Sequence, residues 1–286
     1  MRTALVFGGS GQIGAALLAR LAADGWVAWA VSRQAQPPRA GVTWLRGDLE
    51  RTEGLPLHVD AIFSCGPLDH FARWHAAHLV ESARLVAFGS TSVAVKQDSA
   101  DAGERDVAAR LHAGEAQLFA AAAARGSAAT VLRPTLVYGA GRDATLARIV
   151  ALARRWHGFV LPRGACGLRQ PVHVDDLAAA ALAAVDAPAT HGQAYALPGG
   201  ETLPYREMVA RVLAALRPAP RLFEVPAPLF AALLLAARAS GRLGGFGDAA
   251  LARLRADLVF DDAPARRDFG YAPRPFRPDA AMFSAS

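Results

Sequence analysis

The chain has 286 residues, 53% of them hydrophobic, and this composition excludes a disordered protein. Its net charge of +6 comes from arginines scattered along the chain, with Lys96 as the only lysine. Because no basic stripe is interleaved with aromatic residues, we expect no nucleic-acid partner. The two cysteines, Cys65 and Cys166, predict neither a disulfide framework nor a metal site.

Strand-like segments alternate with helical ones from the N-terminus, a pattern typical of a parallel sheet covered by helices on both faces. The predicted strands are Thr3–Phe7, Trp26–Val31, Val42–Leu45, Ala61–Ser64, Arg84–Phe88 and Thr130–Leu132. The predicted helices cover Gln12–Ala23, 69–82, Glu104–Ala124, 143–155 and 175–186. The fold class is therefore α/β, with a Rossmann-type doubly wound parallel sheet.

The composition of the sequence changes near residue 155, beyond which prolines become more frequent. We therefore predict a Rossmann domain over residues 1–155, its sheet completed by later segments, and a smaller mixed lobe over 156–286 that binds substrate. Because Thr3–Phe7 opens directly into the first glycine motif, we expect no cleaved leader and a cytoplasmic protein.

The most apolar run is Val225–Ala237, which is too short for a membrane span of about 20 residues. It is interpreted as a buried or interface helix. Membrane contact is not expected, although a lipid-associated role for this helix stays open as a third alternative.

The clearest local signal is the glycine-rich segment Gly8–Gly14, which follows the first strand and precedes the first helix. Gly8 would turn the chain off the strand, Gly11 would leave room for a pyrophosphate, and Gly14 would let the helix pack closely. The N–H groups of the helix N-terminus would then face the phosphates. The segment predicts a dinucleotide site that includes four further residues: Ser10, Gln12, Ile13 and, from the later turn, Gly66.

The second strand ends at Val31-Ser32-Arg33, where an NAD binder would carry an acidic residue. Arg33 can instead form charge-assisted bonds to a 2′-phosphate, with help from Ser32, which favours NADP(H) over NAD(H). Asp48 follows the third strand and could meet the adenine, although a turn or helix-capping aspartate fits equally well. Cys65 is assigned to the same pocket.

Four segments together give the chain a resemblance to a known family. GGSGQIG (Gly8–Gly14), LVAFGSTSV (Leu85–Val93), LRPTLVYGAG (Leu132–Gly141) and RQPVHVDDLA (Arg169–Ala178) stand in the order found in short-chain dehydrogenase/reductases, specifically the NAD-dependent epimerase/dehydratase group. The resemblance covers about residues 1–180. It implies a nicotinamide cofactor and places Pro134 beside the nicotinamide ring.

The family's proton-transferring Tyr-x-x-x-Lys pair is absent from this chain. Alignment on Glu115 places Val107 and Leu111 at the two positions, and none of the four tyrosines has a lysine four residues later. The chain therefore resembles atypical members of the family, many of which bind the nucleotide with altered or lost catalysis.

Several remaining residues could carry chemistry. Ser90 matches the family's catalytic Ser/Thr position, and its hydroxyl or that of Thr91 could bond a substrate carbonyl. Tyr138 could donate a proton if the nearby Arg142 lowered its pKa, but a packing role fits it better. Lys96 could swing into the cleft or lie on the surface.

Two residues of the last matched segment are candidates for substrate contact. Arg169 would suit an anionic substrate, and His173 could serve as acid or base or support the sheet. Asp175 or Asp176 is a good N-cap for a helix beginning at Leu177.

We therefore expect an NADP(H)-dependent oxidoreductase or epimerase acting on a small carbonyl or hydroxyl substrate. The alternative is an NADP(H)-binding sensor or assembly protein without turnover. A homodimer is possible.

Overall fold

The computed structural model describes residues 1–141, 144–239 and 254–283. The strands are β1 (Thr3–Phe7), β2 (Val27–Ser32), β3 (Val42–Arg46), β4 (Ala61–Ser64), β5 (Arg84–Phe88), β6 (Ala128–Pro134), β7 (Val137–Tyr138), β8 (Gly158–Pro162), β9 (Leu168–Arg169), β10 (Val172–His173), β11 (Gln193–Leu197), β12 (Leu203–Pro204) and β13 (Arg221–Val225). The α-helices are α1 (Gln12–Ala23), α2 (Leu68–Ala77), α3 (Ser92–Val95), α4 (Ala102–Ala124), α5 (Ala144–Trp156), α6 (Val174–Asp186), α7 (Tyr205–Ala215), α8 (Ala227–Ala239) and α9 (Ala263–Phe269). Short 3-10 turns cover Pro188–Thr190 and Ala280–Phe283.

The chain forms two compact units that interleave in sequence. Unit 1 comprises Met1–Thr135, Val172–Pro198 and Phe260–Pro273, and unit 2 comprises Leu136–Pro171, Gly199–Val259 and Arg274–Ser286. The predicted boundary at residue 155 lies inside unit 2, whereas the expectation that later segments complete the sheet agrees with the pairing of β11 with β6. Composition marked where prolines become dense, but β11 returns to pair with β6, so unit 1 is built from three separate stretches.

Unit 1 is built on a seven-stranded sheet in the order β11-β6-β5-β4-β1-β2-β3, with every neighbouring pair parallel. This confirms the predicted doubly wound α/β sheet. The order of the strands reverses between β1 and β4. In open α/β sheets, ligands bind outside the carboxyl ends of the strands at such a switch point.

An aromatic cluster packs α2 on the end of β1. The Phe7 and Trp74 ring centroids are 4.4 Å apart in an edge-on arrangement, and Phe71 stacks on Trp74 at 5.8 Å. Phe7 and Phe71 are fully buried. Because Phe7 is the last residue of β1, this apolar contact holds the strand end from which the glycine turn departs.

A buried arginine joins β5 to α6. The Arg84 guanidinium donates to the carbonyls of Ala184 and Val185 in the last turn of α6, at 2.7 and 2.9 Å, and to Thr190 Oγ1 at 2.9 Å. A cation at a helix C-terminus satisfies carbonyls that lack partners within the helix. Burial lowers the pKa of Arg84, and the nearby Asp186 raises it by a smaller amount.

Unit 2 has a separate core, made by α5, α7 and the strands β8 and β13, which pair in parallel. β9 and β12 form a second, antiparallel pair. Its buried residues include Tyr138, Met208, Val212 and Phe276.

Helix boundaries differ from the sequence-based expectations where side chains bind backbone groups at the helix ends. α4 begins at Ala102, earlier than expected, because Asp101 caps it by accepting from the Glu104 N–H at 3.0 Å. α2 ends at Ala77, five residues early, since Arg125 binds the carbonyls of the segment that follows. α6 begins at Val174 with His173 as its cap, so the expected Asp175 or Asp176 cap was wrong.

The apolar run Val225–Ala237 supplies most of α8. Leu229 and Leu235 are 50% and 63% exposed, so of the two expectations, a buried or an interface helix, the buried one is wrong for this side of it and the interface one stays a prediction. Within the described residues, no helix has the length and apolarity that a membrane crossing requires.

His75 on α2 is a buried acid-sensitive group. It is 1% exposed, and neither ring nitrogen has a hydrogen-bond partner in the described part of the chain. Burial, and secondarily the Arg125 guanidinium, lowers the pKa of His75 from 6.5 to about 4.

We predict that this imidazole makes the fold lose stability in acid. Below pH 6.5 the unfolded chain takes up a proton that folded His75 accepts only near pH 4, so stability falls across this window. The full effect is on the order of 3 kcal/mol. In denaturant titrations at neutral and acid pH, His75→Phe should reduce the acid loss, whereas His112→Gln, on the exposed face of α4, should not. An equal acid loss in both variants would contradict the prediction.

Candidate nucleotide and active site

The carboxyl ends of β1, β2, β4 and β5 bring the sequence-predicted residues of unit 1 to one edge of the sheet. Neighbouring strands lie about 4.8 Å apart, so β2 and β5 are within reach of one extended dinucleotide. The α1 N-terminus begins at the same edge, directly after β1.

The glycine turn is too tight for side chains at two of its positions. Gly8 has a φ of +71°, and a Cβ at Gly14 would lie 2.1 Å from the Gly8 carbonyl oxygen. The Gly11 N–H donates to that same carbonyl at 2.9 Å, which closes the turn. α1 therefore starts in van der Waals contact with the end of β1.

The same turn leaves a concave opening. A Cβ at Gly11 would meet only the Gly8 carbonyl oxygen, at 3.1 Å, so its outer side is free of protein. Gln12 Oε1 is buried and has no partner among the described residues. Ser10, Gln12 and Ile13 lie between the glycines and at the helix start. An open cradle at a helix N-terminus fits a bound pyrophosphate.

The end of β2 carries a polar cluster. Ser32 Oγ donates to Ser10 Oγ at 3.1 Å and accepts from the Gln34 N–H at 3.3 Å and from Gln36 Nε2 at 3.2 Å. Arg33, the next residue, is exposed. This edge offers hydroxyl, amide and guanidinium groups without an acidic residue on the strand.

Asp48 serves its own turn. Its carboxylate accepts from the Glu50 N–H at 2.8 Å and the Arg51 N–H at 3.0 Å. Those two backbone bonds, with a smaller contribution from Arg33, lower the pKa of Asp48. The carboxylate therefore shapes the turn after β3, and its charge lies near Arg33.

The end of β4 closes the turn from the other side. A Cβ at Gly8 would meet the Cys65 carbonyl carbon at 3.0 Å and the Gly66 nitrogen at 3.3 Å. Burial raises the pKa of the Cys65 thiol to about 12, so it is not a nucleophile at neutral pH. Cys65 and Gly66 thus contribute backbone to the pocket wall.

Ser90 and Thr91 follow β5 at the same edge. Ser90 Oγ accepts from the Ser92 N–H at 3.1 Å, which leaves its hydroxyl proton to donate. Thr91 Oγ1 and the Thr91 N–H both donate to the Pro134 carbonyl at 3.2 Å, so Thr91 and Pro134 hold β5 and β6 together. Of the two hydroxyls, Ser90 is the one placed to contact a ligand.

The helix face that would carry the family's proton-transferring pair is aliphatic here. Val107 and Leu111 are half-buried on α4. One turn before Val107 lies Glu104, whose carboxylate is 3.7 Å from Lys96 Nζ and accepts from Ser99 Oγ at 2.8 Å. Lys96 is therefore tied to α4 rather than free on the surface, and this ion pair was not foreseen in the sequence.

One turn after Leu111 lies Glu115, the anchor of the sequence alignment. Its carboxylate accepts two bonds from the Arg133 guanidinium, one of them from Nε at 2.7 Å. A Cβ at Gly89 would lie 3.4 Å from Glu115 Oε1, so this buried pair sits directly beneath the Ser90 turn. Arg133 and Glu115 therefore support the turn and are not catalytic groups.

Two further candidates, Tyr138 and Arg169, are held by structural contacts. Within unit 2, the Tyr138 ring packs edge-on against Phe276 at 4.8 Å, and its hydroxyl donates to the Pro275 carbonyl at 3.4 Å. Arg142 lies outside the described residues, so its effect on Tyr138 stays a prediction. Arg169 in unit 2 is 6% exposed and donates to the carbonyls of Leu168 and Ala256, at 2.7 and 2.9 Å.

His173 in unit 1 caps α6. Its Nδ1 accepts from the Asp175 N–H at 3.2 Å. Within the part of the chain that the structure describes, no group of His, Cys, Asp and Glu side chains is arranged to hold a metal ion.

Comparison with known sequences agrees with this geometry. The sequence model of the NAD dependent epimerase/dehydratase family matches residues 74–197, which include the Ser90 turn, α4 and the His173 segment. A 2-alkyl-3-oxoalkanoate reductase of Stenotrophomonas maltophilia is 29% identical, and the alignment covers 94% of each chain.

Two solved structures share the fold. An epimerase from the methanogen Methanothermobacter thermautotrophicus has a TM-score of 0.72 at 16% identity, covering 99% of this chain and 90% of its own. A UDP-glucuronic acid 4-epimerase from Bacillus cereus, solved with UDP-glucuronic acid and NAD, has a TM-score of 0.68 at 11% identity, covering 96% and 95%. At these identities the likeness establishes the fold.

We predict that Gly11→Ala separates folding from nucleotide binding. Its backbone, at φ −74° and ψ 173°, is open to alanine, and the new methyl would meet one carbonyl oxygen at 3.1 Å. The melting temperature should therefore change little, while affinity for nicotinamide dinucleotides falls at least about tenfold because the methyl fills the cradle.

Gly14→Ala is the matched comparison, and it should unfold the protein or lower its melting temperature sharply, since its methyl overlaps the Gly8 carbonyl. Unchanged nucleotide affinity in folded Gly11→Ala would show that the cradle does not receive the pyrophosphate.

Proposed function

Because residues 74–197 match the model of the NAD dependent epimerase/dehydratase family, we propose that the chain is a member of this family and an NADP(H)-dependent oxidoreductase that reduces a carbonyl group of a small-molecule substrate. The observation that carries the proposal is the shared edge of the sheet, where the open Gly11 cradle after β1, the acid-free end of β2 and the Ser90 hydroxyl after β5 are found.

The preference for NADP(H) is supported by the chemistry at the end of β2. Arg33 follows Ser32 directly and is exposed, and its guanidinium can donate to a 2′-phosphate. The nearest acidic group, Asp48, is engaged by two backbone N–H groups in its own turn. A phosphate there would meet the cationic Arg33 donor, whereas a ribose diol would find no carboxylate on β2.

Reduction is favoured over epimerisation by the curated relative. That protein is named as a reductase of 2-alkyl-3-oxoalkanoates and aligns over nearly the whole chain, whereas the epimerases are similar only in fold. We therefore propose a 3-oxo acid as the class of substrate, with the 3-oxo group converted to a hydroxyl.

The chain's own residues would position the substrate and polarise its carbonyl group. A bound reduced nicotinamide would supply the hydride. Ser90 would donate its hydroxyl proton as a hydrogen bond to the carbonyl oxygen, stabilising the negative charge that develops there. The oxygen would take its proton from solvent, because Val107 and Leu111 offer no acidic group and Thr91 is committed to Pro134.

The alternative is a binding protein without turnover. The specific observation that favours it is the aliphatic face of α4, where Val107 and Leu111 stand in place of an acid and its activating lysine. Such a protein would bind the nucleotide at the same cradle and leave it reduced in the presence of every carbonyl compound offered.

One prediction of the proposed function concerns the cofactor. Arg33→Ala should weaken NADPH binding about tenfold, the loss of one charge-assisted contact, and leave NADH affinity unchanged. Nicotinamide fluorescence titrations with both nucleotides measure this. Arg20→Ala, in the last turn of α1 at its other end, is the control and should bind both as the wild type does. Equal losses for NADPH and NADH would contradict a 2′-phosphate contact.

Another prediction of the proposed function concerns the Ser90 hydroxyl. With a panel of 3-oxo acids, Ser90→Ala should lower kcat about tenfold to a hundredfold and leave the affinity for NADPH unchanged, because only the bond to the reacting oxygen is lost. Ser92→Ala keeps the backbone N–H that Ser90 accepts and should retain activity. Full activity in Ser90→Ala would remove the proposed role.

A further inference from the structure

α8 presents an apolar surface to water. Residues 225–237 contain no charged side chain, and Glu224 and Arg238 flank them. Leu229 is 50% exposed and Leu235 is 63% exposed. A helix that is hydrophobic all round is normally buried in a core or a membrane, so the described exposed side of α8 calls for a partner.

The exposed surface continues onto the strand that leads into α8. Phe223 on β13 is 48% exposed, and its ring packs over Gly158 at the start of β8. Trp156, two residues before Gly158, is 51% exposed. We call Trp156, Phe223, Leu229 and Leu235 together the apolar strip. One of its two aromatic members, Trp156, combines a large apolar ring with a polar indole N–H, the kind of residue enriched at membrane–water interfaces.

Arginines border the strip. Arg155 precedes Trp156, and Arg221 lies two residues before Phe223 on the same face of β13; both are exposed. Arg163 is also exposed, and its N–H donates to the Val225 carbonyl at 2.8 Å, which places it at the start of α8. The nearest acidic side chain, Glu224, is paired with Arg206 at 2.8 Å. The border of the strip is therefore positively charged.

We propose that the apolar strip docks on an anionic lipid surface, with α8 lying in the headgroup region and the bordering arginines binding lipid phosphates. A helix of 13 residues is about 20 Å long, short of the roughly 30 Å of a bilayer core, so it lies on the membrane and does not cross it. Sequence length alone had argued against membrane contact for the same reason.

A second copy of the chain fits the strip less well than a lipid surface. In a two-fold contact the same patch meets itself, so the bordering arginines of both copies would approach one another. An anionic surface instead neutralises them. The proposal does not depend on the proposed reaction, although a 3-oxo acid with long alkyl chains would itself partition into lipid.

Vesicle co-sedimentation of the full chain tests the proposal. The wild type should bind vesicles that contain phosphatidylglycerol in phosphatidylcholine at least tenfold more tightly than pure phosphatidylcholine vesicles. Raising the salt concentration should weaken binding, because it screens the arginines. Equal and weak binding to both kinds of vesicle would overturn the proposal.

Matched leucine variants distinguish vesicle binding through the apolar strip from nonspecific hydrophobic binding. The double variant Leu229→Ser/Leu235→Ser should lose at least tenfold in vesicle affinity. The control, Leu57→Ser/Leu79→Ser, changes two leucines of unit 1 that are 83% and 86% exposed and lie outside the strip, and it should bind as the wild type does. Equal losses in the two variants would overturn the proposal.

Sedimentation velocity and NADPH titration complete the test. Both double variants should keep the wild-type melting temperature and NADPH affinity, since all four side chains are exposed. If the wild type is a dimer that Leu229→Ser/Leu235→Ser dissociates, a second copy covers the strip and the proposal fails. Vesicle binding without NADPH oxidation would overturn the proposed function alone.

Discussion

The start of α1 is held against the end of β1 at a distance that only glycines permit. A methyl group at Gly14 would overlap the Gly8 carbonyl, and one at Gly8 would press on the Cys65 backbone. From this contact follow the direction of α1, the open cradle at Gly11 and the closeness of β4 to the turn. The parallel register then brings Ser32 and Ser90 to the same edge of the sheet.

The walls of the site are built without the proton-transferring pair that the family uses. The Arg133–Glu115 pair lies beneath the Ser90 turn and keeps the geometry of that turn. Thr91 and Pro134 tie β5 to β6. The residues around the positions of the missing pair are thus held in place. Glu104, which forms an ion pair with Lys96, lies on α4 one turn before Val107. A preserved scaffold with one polarising hydroxyl favours slow, position-driven reduction over a vestigial site.

Much of unit 1 could be predicted from the sequence. β1, α1, β4 and β5 have the predicted bounds, because short buried strands and a glycine-initiated helix leave clear patterns. The absence of the Tyr-x-x-x-Lys pair could be deduced directly from the sequence, since the chain has one lysine. The roles of Asp48 and His173 were open in the sequence, because a turn cap and a ligand contact need the same residue type. Their backbone partners are set by geometry that spacing does not encode.

Other features depend on contacts between distant segments. Later segments were expected to complete the sheet, but nothing local in the sequence identifies residues 172–198 and 260–273 as the ones that return to unit 1. The early end of α2 depends on Arg125, nearly fifty residues away in the chain. Hydropathy identified Val225–Ala237 as apolar, but its exposure is a property of the folded unit, as is the border of arginines around it.

The central claim is that the site turns over its nucleotide despite the missing pair, and a single-turnover experiment tests it most directly. Wild-type protein in excess over NADPH is mixed with a 3-oxo acid, and the absorbance of the reduced nicotinamide is followed in time. The account predicts a complete exponential decay, with one hydroxy acid formed for each NADPH consumed. NADPH that is bound yet stays reduced with every 3-oxo acid would contradict the account and identify a binding protein.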